Sequence, residues 1–299
     1  MWSIRGSYGL VHGIAIFGIA AVSIAMNTRL CDAQVNAQVN APVNARVNAP
    51  VNARVNAPVN AQVNAPVSGS TPTVDQVIAR NVEARGGMDR VKGVQTALWT
   101  GHISFSPGDD HPLSVEMARP GRIRSEVTIQ GQSVVQAYDG HTAWTINPLQ
   151  GPSGPQEMPV EAAKNVAAGG DMDGPLLDYA AKGNRVTLVG MDTADGRRAY
   201  KIGVKTASGL SDTYYIDAQS YLQTRWEGNR IVNGGPVVFE SYFRDYRLVD
   251  GVMWAHRIDS TTEGKPGAQQ IIMDTIQLNT PIPDSRFLMP SAINSAPAR

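Results

Sequence analysis

The residues of this chain best suited to metal binding or proton transfer are His12, His102, His111, His141 and His256, and no two stand at the spacing of a metal-ligand pair. Asp109-Asp110-His111-Pro112 sets carboxylates beside an imidazole but reads as a polar turn between strands. Asp171-Met172-Asp173-Gly174 resembles a fragment of a calcium loop. An EF-hand needs further oxygen ligands and a glutamate at position 12, where this chain has Lys182. Ser208-Gly209-Leu210-Ser211 lacks the Gly-x-Ser-x-Gly frame of a nucleophile elbow and reads as a hairpin loop. Gly86-Gly87 has no strand before it and no Lys-Ser/Thr after it, so it ends a helix rather than cradling a phosphate. With these set aside, the chain reads as a binder with no catalytic residue, no metal and no cofactor, and its function must lie in an apolar surface.

The elements that would build such a surface are mostly strands. Thr73-Val74-Asp75 opens a helix with Val74, Val77, Ile78 and Val82 near one face, and Gly86 follows Arg85 where a left-handed cap is expected. The period then changes to two: Ile123, Ser125, Val127 and Ile129 share one face, against Arg122, Arg124, Glu126, Thr128 and Gln130 on the other. The same alternation runs through Leu113, Val115, Met117, through Tyr200, Ile202, Val204, through Leu222, Thr224, Trp226, through Val252, Trp254, Ile258, and through Ile272, Ile276, Leu278. Gln130-Gly131, Asp139-Gly140, Asp195-Gly196 and Asp250-Gly251 are turn dipeptides between such runs. The fold class is therefore mainly β (α+β), a large antiparallel meander of about ten strands. The pattern breaks between Met158 and Lys182, where Val160-Glu161-Ala162-Ala163-Lys164 and Leu176-Leu177-Asp178-Tyr179 read as helical and should cover the apolar face. Whether the covered volume is a filled core or a cavity is open at this point.

Of the 299 residues, the first 72 divide into two segments unlike the rest. Residues 1–33 read as an export signal: Arg5 supplies the positive region, Ile14 to Met26 is an uncharged and mostly apolar run, and cleavage after Ala33 fits the small residues at Cys31 and Ala33. A retained N-terminal anchor in the inner membrane is the alternative. Arg29-Leu30 before Cys31, the single cysteine, departs from a lipoprotein signal. Residues 34–72 carry a repeat of Ala-X-Val-Asn, with Pro42, Pro50, Pro58 and Pro66 at intervals that forbid a continuous helix. It reads as a disordered spacer whose reach, at ~3.1 Å per residue, is on the order of 100 Å. Residues 73–290 form the folded β domain and 291–299 a disordered tail. Removing Arg5, Arg29, Arg46, Arg54 and Asp32 from 26 basic and 26 acidic residues leaves 22 and 25, a net charge of about −3 that gives nucleic acid no footprint.

Three stretches bring a family into view: 73–87, Ala137-Tyr138-Asp139-Gly140-His141-Thr142-Ala143-Trp144, and Asp173-Gly174-Pro175-Leu176-Leu177-Asp178-Tyr179. With the closing stretch Asn279 to Pro290, they resemble the bacterial outer-membrane lipoprotein-sorting proteins of the periplasmic lipoprotein carrier superfamily. The resemblance covers about residues 73 to 290, and its motifs are structural. It implies an unclosed, highly curved antiparallel barrel capped by a few helices, with acyl chains in its apolar concavity. Inward-facing apolar side chains line the ligand site in that picture, which suggests Val115, Met117, Ile123, Val127, Ile129, Trp226 and Trp254 here; ordinary core packing is the alternative for each. An arginine inside the barrel holds the helices closed in the family's carriers. No position of this chain matches that motif, and Arg124 and Arg225 fall on polar faces. The implied partners are a lipid or acylated lipoprotein, an inner-membrane donor and an outer-membrane acceptor, with no nucleic acid. A periplasmic carrier is thus the first functional expectation, and an envelope sensor or protein-interaction domain on the same fold is the second.

Overall fold

The computed structural model describes residues 71–232, 235–262 and 265–291. The segment expected to be an export signal, Cys31 and the Ala-X-Val-Asn repeat lie outside the described residues, as does nearly all of the 291–299 segment.

Helix α1 (Val74–Ala84) starts where its capping chemistry dictates. The Gln76 amide donates to Thr73 Oγ1 at 3.2 Å and the Thr73 amide to Gln76 Oε1 at 2.9 Å, a reciprocal box that satisfies two otherwise free donors. It ends in a Schellman motif, with the Gly87 amide on Val82 O and the Gly86 amide on Glu83 O, both at 3.0 Å. Gly86 is required twice over. Its φ is +124°, and a Cβ there would lie 2.2 Å from the carbonyl oxygen of Gly251. That close approach lets the Met253 amide donate to Arg85 O at 2.9 Å, which fixes the end of the helix on the sheet. Val77, Ile78 and Val82 are buried beneath α1 and together contribute on the order of 5 kcal/mol. A short helix, α2 (Met88–Gly93), follows, and α3 (Val160–Gly169) interrupts the strands.

The strands are β1 (Thr96–Ser104), β2 (Asp110–Ala118), β3 (Arg122–Ile129), β4 (Gln132–Tyr138), β5 (Ala143–Ile146), β6 (Gln156–Glu157), β7 (Arg185–Ala194), β8 (Arg197–Lys205), β9 (Ser211–Asp217), β10 (Gln223–Val232), β11 (Gly235–Val249), β12 (Val252–Thr262) and β13 (Lys265–Leu278). They form one antiparallel sheet in the order β6-β5-β4-β3-β2-β1-β13-β12-β11-β10-β9-β8-β7, not closed into a barrel. It has thirteen strands where about ten were expected, because β5 and β6 are too short to show an alternation. Three of the four turn dipeptides, Gln130-Gly131, Asp195-Gly196 and Asp250-Gly251, have positive φ at both residues, the hairpin geometry that matches strand twist. At the fourth, the Asp139 carboxylate instead accepts the amides of His141 and Thr142.

Three local expectations are corrected. Leu176-Leu177-Asp178-Tyr179 is an irregular turn, not a helix: Asp178 sits at φ +53°, and Leu176 and Leu177 are buried in different clusters. Ile272 does not share the buried face of Ile276 and Leu278; Ile271 and Met273 take it. Thr100 pairs with Thr275 but Gly101 with Met273, so Asp274 is an extra residue, and this bulge reverses the parity of the strand. Asp110, His111 and Pro112 belong to β2, leaving only Asp109 in the turn.

Two apolar clusters fill the sheet's inner face. One lies under β1–β5, β12 and β13, and the other under β8–β11; α1 sits over both, with Val82 in the first and Val77 and Ile78 in the second. Among the described residues, no helix is long and apolar enough to cross a membrane.

Candidate functional site

Residues of β4 and β5 near one end of the sheet line the same cavity as residues of β9 and β10 near the other. In a flat sheet the eight inter-strand steps from β5 to β10 would hold these strands about 38 Å apart. The sheet must therefore curl until its two limbs face each other. This outer cavity has a volume of about 680 Å3, with α3 as one wall, and its apolar lining includes Met158, Ala163, Ala167, Leu210 and Trp226. A second, inner cavity of about 140 Å3 lies against β1 and β11–β13 below α1. Asp171, Pro175 and Tyr214 line both, so the segment from Gly169 to Leu176 is the partition between the two chambers.

That partition is held by three cations. The Arg85 guanidinium, at the end of α1, donates to Asp173 O at 2.7 Å and Met172 O at 3.2 Å. Arg119, at the end of β2, grips the Asp173 carboxylate in bidentate fashion at 2.6 and 2.9 Å and also donates to Val91 O and Val94 O. Lys182 reaches both carboxylate oxygens of Asp171, at 2.6 and 2.8 Å, and Gly174 O at 2.8 Å. The residue standing where a calcium loop would need its glutamate thus supplies a cation to that loop. Burial pushes the Asp173 carboxyl up, but Arg119, aided by Lys182 and Lys92, outweighs it and holds the group below its ordinary value. Burial likewise pushes the Arg85 guanidinium below its ordinary value, and Tyr246, Asp173 and Asp171 offset this only in part. At the other end of the partition, Gly170 packs so tightly on the β2–β3 turn that a Cβ would lie 2.1 Å from Gly121 O.

The outer cavity also carries a buried ion pair. Arg230 donates to the two Asp212 oxygens at 2.6 and 3.2 Å, and its guanidinium lies 5.1 Å above the Trp226 ring. Lys164, Lys182 and Asn184 are on its polar side too, together with the carboxylates of Glu157 and Asp171.

Of the residues expected to line the ligand site, Trp226 lines the outer cavity, and Met117 and Trp254 line the inner one. Val115, Ile123, Val127 and Ile129 line neither; each is at most 1% exposed, in the core cluster under β1–β5. Arg124 and Arg225 lie on the polar faces, pairing with Glu126 and with Glu227 and Glu240. Sequence reasoning missed Trp99, Arg85, Arg119 and Gln223. For Trp99 a signal existed, since Ala97, Trp99 and Ile103 fall on the odd positions of β1 with small Gly101 between them.

The fold is similar to those of solved structures described as a LolA superfamily protein and an outer-membrane lipoprotein-sorting protein domain. A LolA superfamily protein from Nitrosomonas europaea matches with a TM-score of 0.50 at 14% identity, over 73% of this chain and 98% of that one. A domain assigned to the outer membrane lipoprotein-sorting proteins, from Vibrio parahaemolyticus, matches with a TM-score of 0.50 at 10% identity, over 72% and 95%. A DUF1329 family protein from Desulfovibrio piger gives 0.50 at 13% identity, over 73% and 98%. No protein-family model and no curated protein matches the chain.

Proposed function

We propose that this protein is an exported, periplasmic carrier that shields the acyl chains of a lipid or lipoprotein from water, without covalent chemistry. The observation that carries this reading is the outer cavity. Its volume of about 680 Å3 is within the range of small-molecule sites, roughly 300–1,000 Å3, and it opens between the facing limbs of an unclosed sheet. Methylene burial contributes about 0.8 kcal/mol per CH2, so ten methylenes supply ~8 kcal/mol, a micromolar affinity. Names among the fold relatives that refer to lipoprotein sorting point the same way. Met117, Trp226 and Trp254 are the expected contacts in the two cavities. Donor and acceptor membranes would load and unload such a carrier from the inner and outer sides of the envelope.

The test is displacement of the neutral dye N-phenyl-1-naphthylamine by decanoate from the full chain, with mass spectrometry of lipids that co-purify. Ala163→Trp, which places an indole in the outer cavity, is expected to weaken dye binding at least tenfold while leaving the unfolding midpoint within a few degrees. A wild-type protein that carries no lipid and binds no dye would sink the carrier and leave the protein-interaction domain standing.

A further inference from the structure

The inner cavity holds an unusual set of polar atoms. Trp99 Nε1, Trp254 Nε1 and Gln223 Nε2 are each buried without a hydrogen-bond partner among the described residues, and all three side chains line this one cavity. The fold can satisfy such a group when nothing is asked of it: Trp144 Nε1 donates to Phe287 O at 2.8 Å. An indole N–H can only donate. Each buried donor left unmade costs on the order of 1–3 kcal/mol, so two indoles and an amide among the walls of one chamber gain from an acceptor brought into it once the side chains shift to meet it. Arg85 adds a cation to the same wall, and the two carboxylates that line the cavity are each paired already, Asp173 with Arg119 and Asp171 with Lys182.

The size and the remaining lining narrow the ligand. A cavity of about 140 Å3 is close to the ~150 Å3 that holds benzene in an engineered core, so it takes a group of about six heavy atoms. Met117, Met253 and Met273 line it beside the donors and offer flexible, polarisable walls suited to an aliphatic stem. The two tryptophans stand on β1 and β12, on either side of β13, with ring centroids 5.4 Å apart and planes at 70°. We infer that the inner cavity is a recognition pocket for the oxygen-bearing end of an acyl chain, with the Trp99 and Trp254 indoles and the Gln223 amide donating to a carboxyl or ester oxygen and the first methylenes lying between the methionines. This inference rests on the carrier reading and refines it: the outer cavity holds hydrocarbon, and the inner one selects for the acyl oxygen.

The experiment compares decanoate, methyl decanoate and decylammonium, three ligands of one chain length, on the full wild-type chain and on Trp99→Phe, Trp254→Phe and the double variant. Phenylalanine keeps an aromatic ring and removes only the donor side. Each replacement is expected to weaken decanoate or methyl decanoate about tenfold, with decylammonium and the neutral dye unaffected. Indole 15N–1H resonances, assigned from the single variants, should move on adding an acyl oxygen. Movement with decanoate alone assigns the site to a free carboxylate beside Arg85; movement with the methyl ester as well assigns it to any acyl ester. Unchanged acyl affinity in the double variant, or indole resonances that stay put because water alone satisfies them, would overturn the pocket. Continued dye binding in that case leaves the carrier intact, whereas loss of all binding in wild type removes both.

Discussion

Removing the Asp173 carboxylate tests whether the partition between the two chambers is held as described. The side chain is 6% exposed and accepts two charge-assisted hydrogen bonds from Arg119, whose own side chain is 24% exposed. Breaking a buried pair by deleting one partner costs about 3–5 kcal/mol when the other charge is stranded. In Asp173→Ala, Arg119 is not stranded, since it keeps the carbonyls of Val91 and Val94 and some contact with water. The expected loss is therefore about 2–3 kcal/mol. Arg119→Met is expected to cost more, about 3–4 kcal/mol, because it leaves the deeper-buried carboxylate without its bidentate partner and frees both carbonyls. The double variant should fall short of the sum by about 2 kcal/mol. Urea unfolding of the full chain followed by tryptophan fluorescence measures all three. A coupling below ~0.5 kcal/mol, or an Asp173→Ala that costs more than Arg119→Met, would show that the loop is held by something other than this pair.

Two further outcomes follow from the same loop. The Asp173 carboxyl is held below its ordinary value near 3.8, so its contribution is complete above that pH and is lost as pH falls through the native value. The stability gap between wild type and Asp173→Ala should stay constant from pH 7 to pH 5 and shrink by pH 3; a gap that already closes between pH 7 and pH 5 would contradict the assignment. Gly170→Ala drives a Cβ to 2.1 Å from the backbone of Gly121 and should cost on the order of 2–3 kcal/mol, whereas Gly174→Ala, with φ +75° but open space around it, should cost about 1 kcal/mol. Thermal unfolding of the two variants decides the order.

How much could be read from the chain alone depended on how local the cause was. Helix α1 was legible because Thr73, Asp75 and the diglycine act within a few residues of the ends they define. Strand β3 was legible because Ile123, Val127 and Ile129 hold the inward positions while Arg122, Glu126 and Thr128 hold the outward ones, a pattern that polar Ser125 and buried Arg124 do not hide. The bulge at Asp274 was not, since it exists only through the pairing of β13 with β1. The site was less legible than the fold. Met117, Trp226 and Trp254 could be placed on inward faces, but alternation cannot distinguish an inward residue that meets a neighbour, as Val115 and Ile129 do, from one that meets a void. The loop at 171–174 drew notice only for its mismatch with a calcium site, through Lys182. Its other anchors, Arg85 and Arg119, lie 88 and 54 residues from Asp173, and no pattern in sequence ties such positions together.

Twelve strand pairings make up the sheet, and eleven of them join strands that follow one another along the chain. The exception is β1 with β13, where Ala97 meets Leu278, braced by Asn279 and Thr280 against Gln95 and Thr96. Folding can therefore run quickly within two separate meanders, β1–β6 and β7–β13, while the step that welds them carries nearly all the long-range loop-closure entropy. Until residue 278 is free to pair, neither half has its full core. A chain with this topology stays open until its last strand is delivered, and then closes along a single seam between Trp99 and Trp254.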